Sequence, residues 1–201
     1  MKKLLAAFAA LIIGASPVFS EPELNVSVFS RHEWRGQTGS DAVSIQPQAS
    51  IPVGKAGTNV SLWGQYPING ADTEIDITVS QIVGGIANVS ATSYYYDGPF
   101  LEGDSHDIEL GVATGYAGVG IFVGRFLTGD DVKDDTWVSL NYDLDGINVF
   151  AGAGDGGYIA DGDGFGLVLI GASAANEGGY GVSLIYNVDT ETPLLIASKA
   201  W

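Results

Sequence analysis

The sequence predicts an all-β chain folded as an antiparallel transmembrane β-barrel of about twelve strands, and three observations carry that reading. After residue 22 the chain is a succession of stretches of roughly ten residues with period-two character, separated by Gly, Asp and Asn. With residues 1–20 set aside, no uninterrupted apolar run of about 18 residues or more remains, so any membrane crossing must be made by strands. The connections alternate between short turns and longer acidic loops, as they do in outer-membrane barrels.

Residues 1–20 read as a cleavable export signal: Lys2 and Lys3, an apolar stretch from Leu4 to Ile13, Pro17, and a small-residue cleavage site at Val18-Phe-Ser20. The barrel then occupies 21–201. Strands are expected near 23–35, 43–53, 58–66, 73–82, 86–96, 106–116, 118–127, 136–144, 147–154, 164–173, 180–188 and 193–201. An even count returns both ends to one side of the membrane.

In the first strand Leu24, Val26 and Val28 oppose Asn25, Ser27 and Arg31. Continued parity turns Arg31, Glu33 and Arg35 inward and His32 and Trp34 outward. Three charged side chains on a lipid face would be costly, which supports this choice. Farther along, Val60 and Leu62 oppose Asn59 and Ser61, while Ile75, Ile77 and Val79 oppose Glu74, Asp76, Thr78 and Ser80. Ile108, Leu110 and Val112 oppose Asp107 and Glu109, and Val138, Leu140 and Tyr142 oppose Ser139 and Asn141. Arg125 lies in a stretch apolar on both faces; its charge argues for an inward position, with Phe122 and Phe126 toward lipid, unless it snorkels at the membrane edge. In the last strand, parity set by Leu194, Ile196 and Ser198 turns Trp201 inward together with Lys199; the alternatives are a bulge, or an outward face of Leu195, Ala197, Lys199 and Trp201.

The short connections are 54–57, 83–85, the surroundings of Ala117, and 145–146; the longer acidic ones are 97–105, 129–135 and 155–163. The rule is imperfect, because 176–179 on the short side is no shorter than 189–191 opposite. Ten residues at about 3.3 Å each, tilted by about 45°, cross about 23 Å, close to the apolar band of such barrels. Trp34, Tyr66, Tyr116, Tyr142, Tyr186 and Trp201 fall near strand ends, where aromatic girdles form. A soluble sandwich would also alternate, with its apolar face turned to a core.

The expected lumen-lining set is Arg31, Glu33, Arg35, Asn59, Trp63, Glu74, Asp76, Asn88, Asp107, Glu109 and Arg125. Arg31 and Arg35 seek inward carboxylates, for which Glu33, Glu74, Asp76, Asp107 and Glu109 are candidates. In an open lumen such pairs set a selective field; in one too narrow for water they are an internal polar network. Asn25-Val-Ser27, Asn59-Val-Ser61 and Asn88-Val-Ser90 repeat one pattern, either lining a lumen at similar depth or reflecting ordinary strand patterning.

Cysteine is absent, so no disulfide framework holds an exported chain together. All 24 acidic residues follow the export signal, whereas two of the eight basic ones lie within it, so the remainder is more acidic than the full-length −16. Nucleic acid is therefore a poor partner, and none is expected. The only histidines, His32 and His106, lack ligand-spaced companions, so neither zinc nor a catalytic triad is expected, and no cofactor. Asp130, Asp131, Asp134, Asp135, Asp155, Asp161 and Asp163 either meet solvent or hold a divalent cation between loops; their spacing is not that of an EF-hand.

Five short pieces stand in order: Phe29-Ser-Arg31, Trp34-Arg-Gly36 with Ser40, Gln46-Pro47, Trp63-Gly64 and Glu74-Ile-Asp76. Over residues 24–80 the chain thereby resembles the TorF-type porin family, small proteobacterial outer-membrane proteins with no established substrate. The resemblance implies an outer-membrane barrel with passive transport and no catalytic residues, and it singles out Arg31, Trp34, Arg35, Trp63, Glu74 and Asp76. The expectation is a non-enzymatic, porin-like channel in the bacterial outer membrane, with lipid around it and a small hydrophilic solute within. A pore-less structural or adhesive barrel and an exported soluble β-sandwich binding module are the rivals.

Overall fold

A computed structural model describes residues 21–54, 57–70, 73–96, 106–129, 132–159 and 164–201. Twelve strands close an antiparallel barrel: β1 (Glu23–Phe29), β4 (Ser44–Val53), β5 (Thr58–Pro67), β6 (Glu74–Val83), β7 (Ala87–Tyr96), β8 (His106–Tyr116), β9 (Val119–Thr128), β10 (Thr136–Leu144), β11 (Ile147–Gly154), β12 (Gly166–Ala175), β13 (Tyr180–Asn187) and β14 (Thr192–Ala200). Between β1 and β4 stand two short strands, β2 (His32–Trp34) and β3 (Gln37–Ser40), which pair only with each other.

Each barrel strand pairs with its neighbour in sequence, apart from the seam where β1 meets β14 and β4. There Ser27, Val28 and Phe29 oppose Ala200, Lys199 and Ser198, and the Trp201 and Val26 backbones exchange hydrogen bonds. Closure leaves no sheet edge unpaired. It also removes the sandwich, whose apolar face would be buried.

The apolar face is outside. Leu62 opposes Ile77, Leu140 opposes Ile121, and Leu184 opposes Leu195. Of these, Ile77 is half-buried and the rest stay exposed, Leu184 at 59% and Leu195 at 67%, and so do Val112, Val123 and Ile170. An apolar belt of this extent far exceeds what a soluble surface carries, and it matches a lipid-facing one. Tyr66 and Tyr186 stand toward one rim, and Tyr116, Tyr142, Tyr180 and Trp201 toward the other, all exposed.

Connections sort by side. Ala117-Gly118 and Asp145-Gly146 join β8 to β9 and β10 to β11 with both residues at positive φ, the geometry that matches strand twist in a two-residue hairpin. On the opposite rim the β1–β4 and β11–β12 connections run long. The expected 97–105 loop, the cation-binding possibility at Asp130, Asp131, Asp161 and Asp163, the centre of the 54–57 turn and the export signal lie outside the described residues.

Three sequence expectations are corrected. The first strand ends at Phe29 instead of residue 35, because the chain leaves the barrel wall there to build the β2–β3 hairpin. Arg125 faces outward near the long-loop rim, its side chain 53% exposed and bonded to Thr136 Oγ1 (3.0 Å) and Asp134 Oδ1 (3.1 Å), so it does not line the lumen. Phe126, by contrast, is fully buried inside, where packing with Trp34 and Tyr94 outweighs what a lipid-facing position would offer. At the end of the chain Leu194 and Ile196 are buried in the interior, and Leu195 and Trp201 face out, which is the second of the two alternatives for that strand. Lys199 shares the outer face, its ammonium 4.6 Å from the Trp201 ring centre and 4.9 Å from that of Tyr180.

Candidate functional site: a hairpin inside the barrel mouth

The β2–β3 hairpin turns on Arg35-Gly36, with φ of 51° and 83°. Glycine takes such a φ freely, but arginine adopts it only where its surroundings fix it. The surroundings are the barrel interior. Gly36 lies so close to the wall that a Cβ there would stand 2.6 Å from Val168 Cγ1.

Arg35 reaches Glu109 of β8 with two parallel hydrogen bonds, Nη1 to Oε1 at 2.6 Å and Nη2 to Oε2 at 2.9 Å, and also donates to Tyr158 Oη at 2.7 Å. Tyr94 of β7 donates to Glu109 Oε2 at 2.7 Å. The guanidinium lies 4.4 Å from the Trp34 ring centre and 5.3 Å from that of Phe122. Burial alone disfavours the Arg35 cation, but the Glu109 bond and charge outweigh it and hold the guanidinium more firmly protonated than usual. Breaking such a buried, bidentate pair by removing one partner costs about 3–5 kcal/mol.

Further ties surround the tip. Asn187 of β13 donates to the Gly36 carbonyl (2.7 Å), and Gln37 donates to the Gly157 carbonyl (2.6 Å) in the 3-10 turn Gly156–Tyr158. Trp34 packs edge-on against Tyr94 and Phe126 at 5.6 and 6.2 Å and lies 5.8 Å from Tyr158. Trp137, Val168, Leu169, Ile185, Leu194 and Ile196 complete an apolar cluster on this side. Across the lumen, His32 tilts over Trp63 of β5 (5.5 Å) and meets Gln46 of β4 through its Nδ1 (3.1 Å). Its Nε2 stands 3.7 Å from Glu74, too far for a hydrogen bond, so burial governs the ring and lowers its pKa from 6.5 to about 4. The hairpin thus spans from β4–β6 to β12–β13 and fills the long-loop end of the lumen.

His32 and Trp34 are therefore interior residues, contrary to their expected outward parity: they belong to a hairpin in the mouth and not to the barrel wall. Arg31 and Glu33 pair with each other (3.6 Å) and share Thr38 within the hairpin. Burial raises the Glu33 pKa, opposed by Thr38 and Arg31. Trp63 and Asp76 are register partners on the inner wall, and Glu74 is buried opposite Gln65. Asp107 lies on the same face of β8 as Glu109, at the rim beside Gly129. Asn59 and Asn88 face the lumen at the short-turn end, away from the hairpin.

Sequence reasoning missed Tyr94, Tyr158, Gln46 and Asn187, which position the hairpin. Trp34-Arg-Gly-Gln37 held a signal for the turn, since Gly at the second central position is a hairpin mark. Among the described residues, no group of three or more His, Cys, Asp or Glu is placed to hold a metal ion. The barrel is of the kind typical of channel and structural proteins of the outer membrane, and its interior holds a polypeptide segment in place. No protein-family model, curated protein or solved structure matches the chain.

Proposed function

We propose that the protein is a porin-like channel of the bacterial outer membrane, delivered by its export signal, and that it passes small hydrophilic solutes when the β2–β3 hairpin leaves the lumen. The observation that carries this reading is the contrast between the two halves of the interior. The wall behind the hairpin is polar: inward Asn25, Gln48, Asn88 and Asn141 remain solvent-exposed. One separable element closes the other half, and its firmest tie is a single ion pair. Solute movement would follow its own gradient. The resemblance of residues 24–80 to the TorF-type porins supports the same reading. The apolar cluster around Trp137 and Leu194 favours the rival, a pore-less structural barrel, because it narrows the lumen on one side even without the hairpin.

Conductance in planar bilayers separates the two. The native chain is expected to open rarely, whereas replacing 32–40 by a short glycine–serine link, or Glu109→Gln, gives sustained discrete steps. Heat-modifiable gel mobility verifies that each variant is folded. A folded, silent hairpin-less barrel would sink the channel and leave the structural role.

A further inference from the structure

The chain is strongly acidic, yet the wet half of its lumen is not. From the hairpin to the short-turn rim, the inward positions of β1 and β4–β7 are mainly amides and hydroxyls, with Pro52 and Ile82 at the rim: Asn25 stands opposite Gln48, Asn59 opposite Ser80, and Ser80 opposite Ser90. Thr78 and Thr92 continue the wall and bond to each other at 3.0 Å. Across the lumen, Asn141 stands opposite Phe150, whose ring lies against Gly171, and Phe122 lies against Gly111 beside Ser90. Both rings are half-buried. Among the described residues, charge returns at the rim with Glu23 and Asp143, and at the level of the hairpin with Glu74, Asp76 and Glu109 of the wall and Arg31, Glu33 and Arg35 of the hairpin itself.

We infer that this chamber binds an uncharged polyhydroxylated solute, a short neutral saccharide. An amide side chain both donates and accepts, and so does a sugar hydroxyl, so a wall of Asn, Gln, Ser and Thr can satisfy such a solute from any side. A carboxylate or phosphate would lose water here without meeting an unpaired cation among the described residues, because Arg35 is already paired with Glu109, Arg31 with Glu33, and the outward Arg125 and Lys199 lie on the other surface. Among the described residues, a cation would find carboxylates only at the chamber's two ends. The half-buried Phe122 and Phe150 offer apolar contact to the C–H faces of a sugar ring, which a bare ion cannot use.

The inference deepens the channel reading by naming its solute class, but the chamber opens at the short-turn end, so binding can be read without conduction. Titration calorimetry on the full-length protein in detergent would compare maltotriose with the equally long but anionic trigalacturonate. Maltotriose is expected to bind at least about tenfold tighter, a difference worth one to two hydrogen bonds. Asn88→Leu and Asn141→Leu should each weaken maltotriose by about tenfold with unchanged heat-modifiable mobility. Ser90→Lys should turn the preference toward trigalacturonate. Equal or tighter binding of trigalacturonate by the native chain, or no binding of either sugar, overturns the proposal. Silent bilayers with maltotriose bound would instead remove the channel and keep the chamber.

Discussion

His32 shows how one side chain ties the hairpin to acidity. Buried between Trp63, Gln46 and Glu74, it stays neutral down to about pH 4, whereas a released hairpin would protonate it near its ordinary 6.5. Between those values the released state takes up a proton that the docked state refuses, so docking is strongest above pH 6.5 and weakens as pH falls toward 4. The full window corresponds to about 3 kcal/mol. Hydrogen exchange of the 32–40 amides, corrected for intrinsic rates, should therefore speed up from pH 7 to pH 4.5, and His32→Phe should abolish most of that change. An unaltered pH response in the variant would show that another group governs docking. At this scale the sequence was half legible. Inward carboxylates were recognised as partners for Arg31 and Arg35, and the structure divides them as Glu33 for the first and Glu109 for the second. Which carboxylate belonged to which arginine depends on the path of the chain after Phe29, and parity counted along one straight strand placed His32 and Trp34 on the wrong face.

The hairpin as an element rests on its turn. Gly36 combines a φ of 83° with a wall approach that leaves no room for a methyl group. Gly36→Ala meets both obstacles: a left-handed L-residue costs about 1–2 kcal/mol and overpacking about 1–3 kcal/mol. Exchange protection across β2–β3 should collapse in that variant while the barrel keeps its gel mobility; retained protection would mean that the turn does not hold the hairpin in place. Apart from the end of the first, the barrel strands themselves were legible to within about two residues, because alternation over roughly ten positions is a local property. β2 and β3 were not, since three- and four-residue strands carry too few alternations to stand out. The last strand had three readings in sequence, and the burial of Leu194 and Ile196 decided among them.

For the whole molecule the consequence is a barrel with an apolar outer face and an interior that is polar at the short-turn end and packed with aromatic and aliphatic side chains around the hairpin. Leu184, midway along β13 and 59% exposed, makes the point. Leu184→Arg should destabilise the barrel in lipid vesicles by about 2–4 kcal/mol in urea-dependent folding, as expected for a charge near the bilayer midplane. A neutral result would place this surface outside a membrane. By itself, the sequence determined the number of barrel strands and the two faces of most of them, though not of β9 or β14, because strand alternation and turn chemistry are written in neighbouring residues. Only the tertiary structure decided that the segment after Phe29 folds back to fill the mouth, with Arg35 on Glu109 and His32 on Trp63. Those contacts join residues far apart in the chain, and no local pattern encodes a partner that closure of the barrel brings within reach.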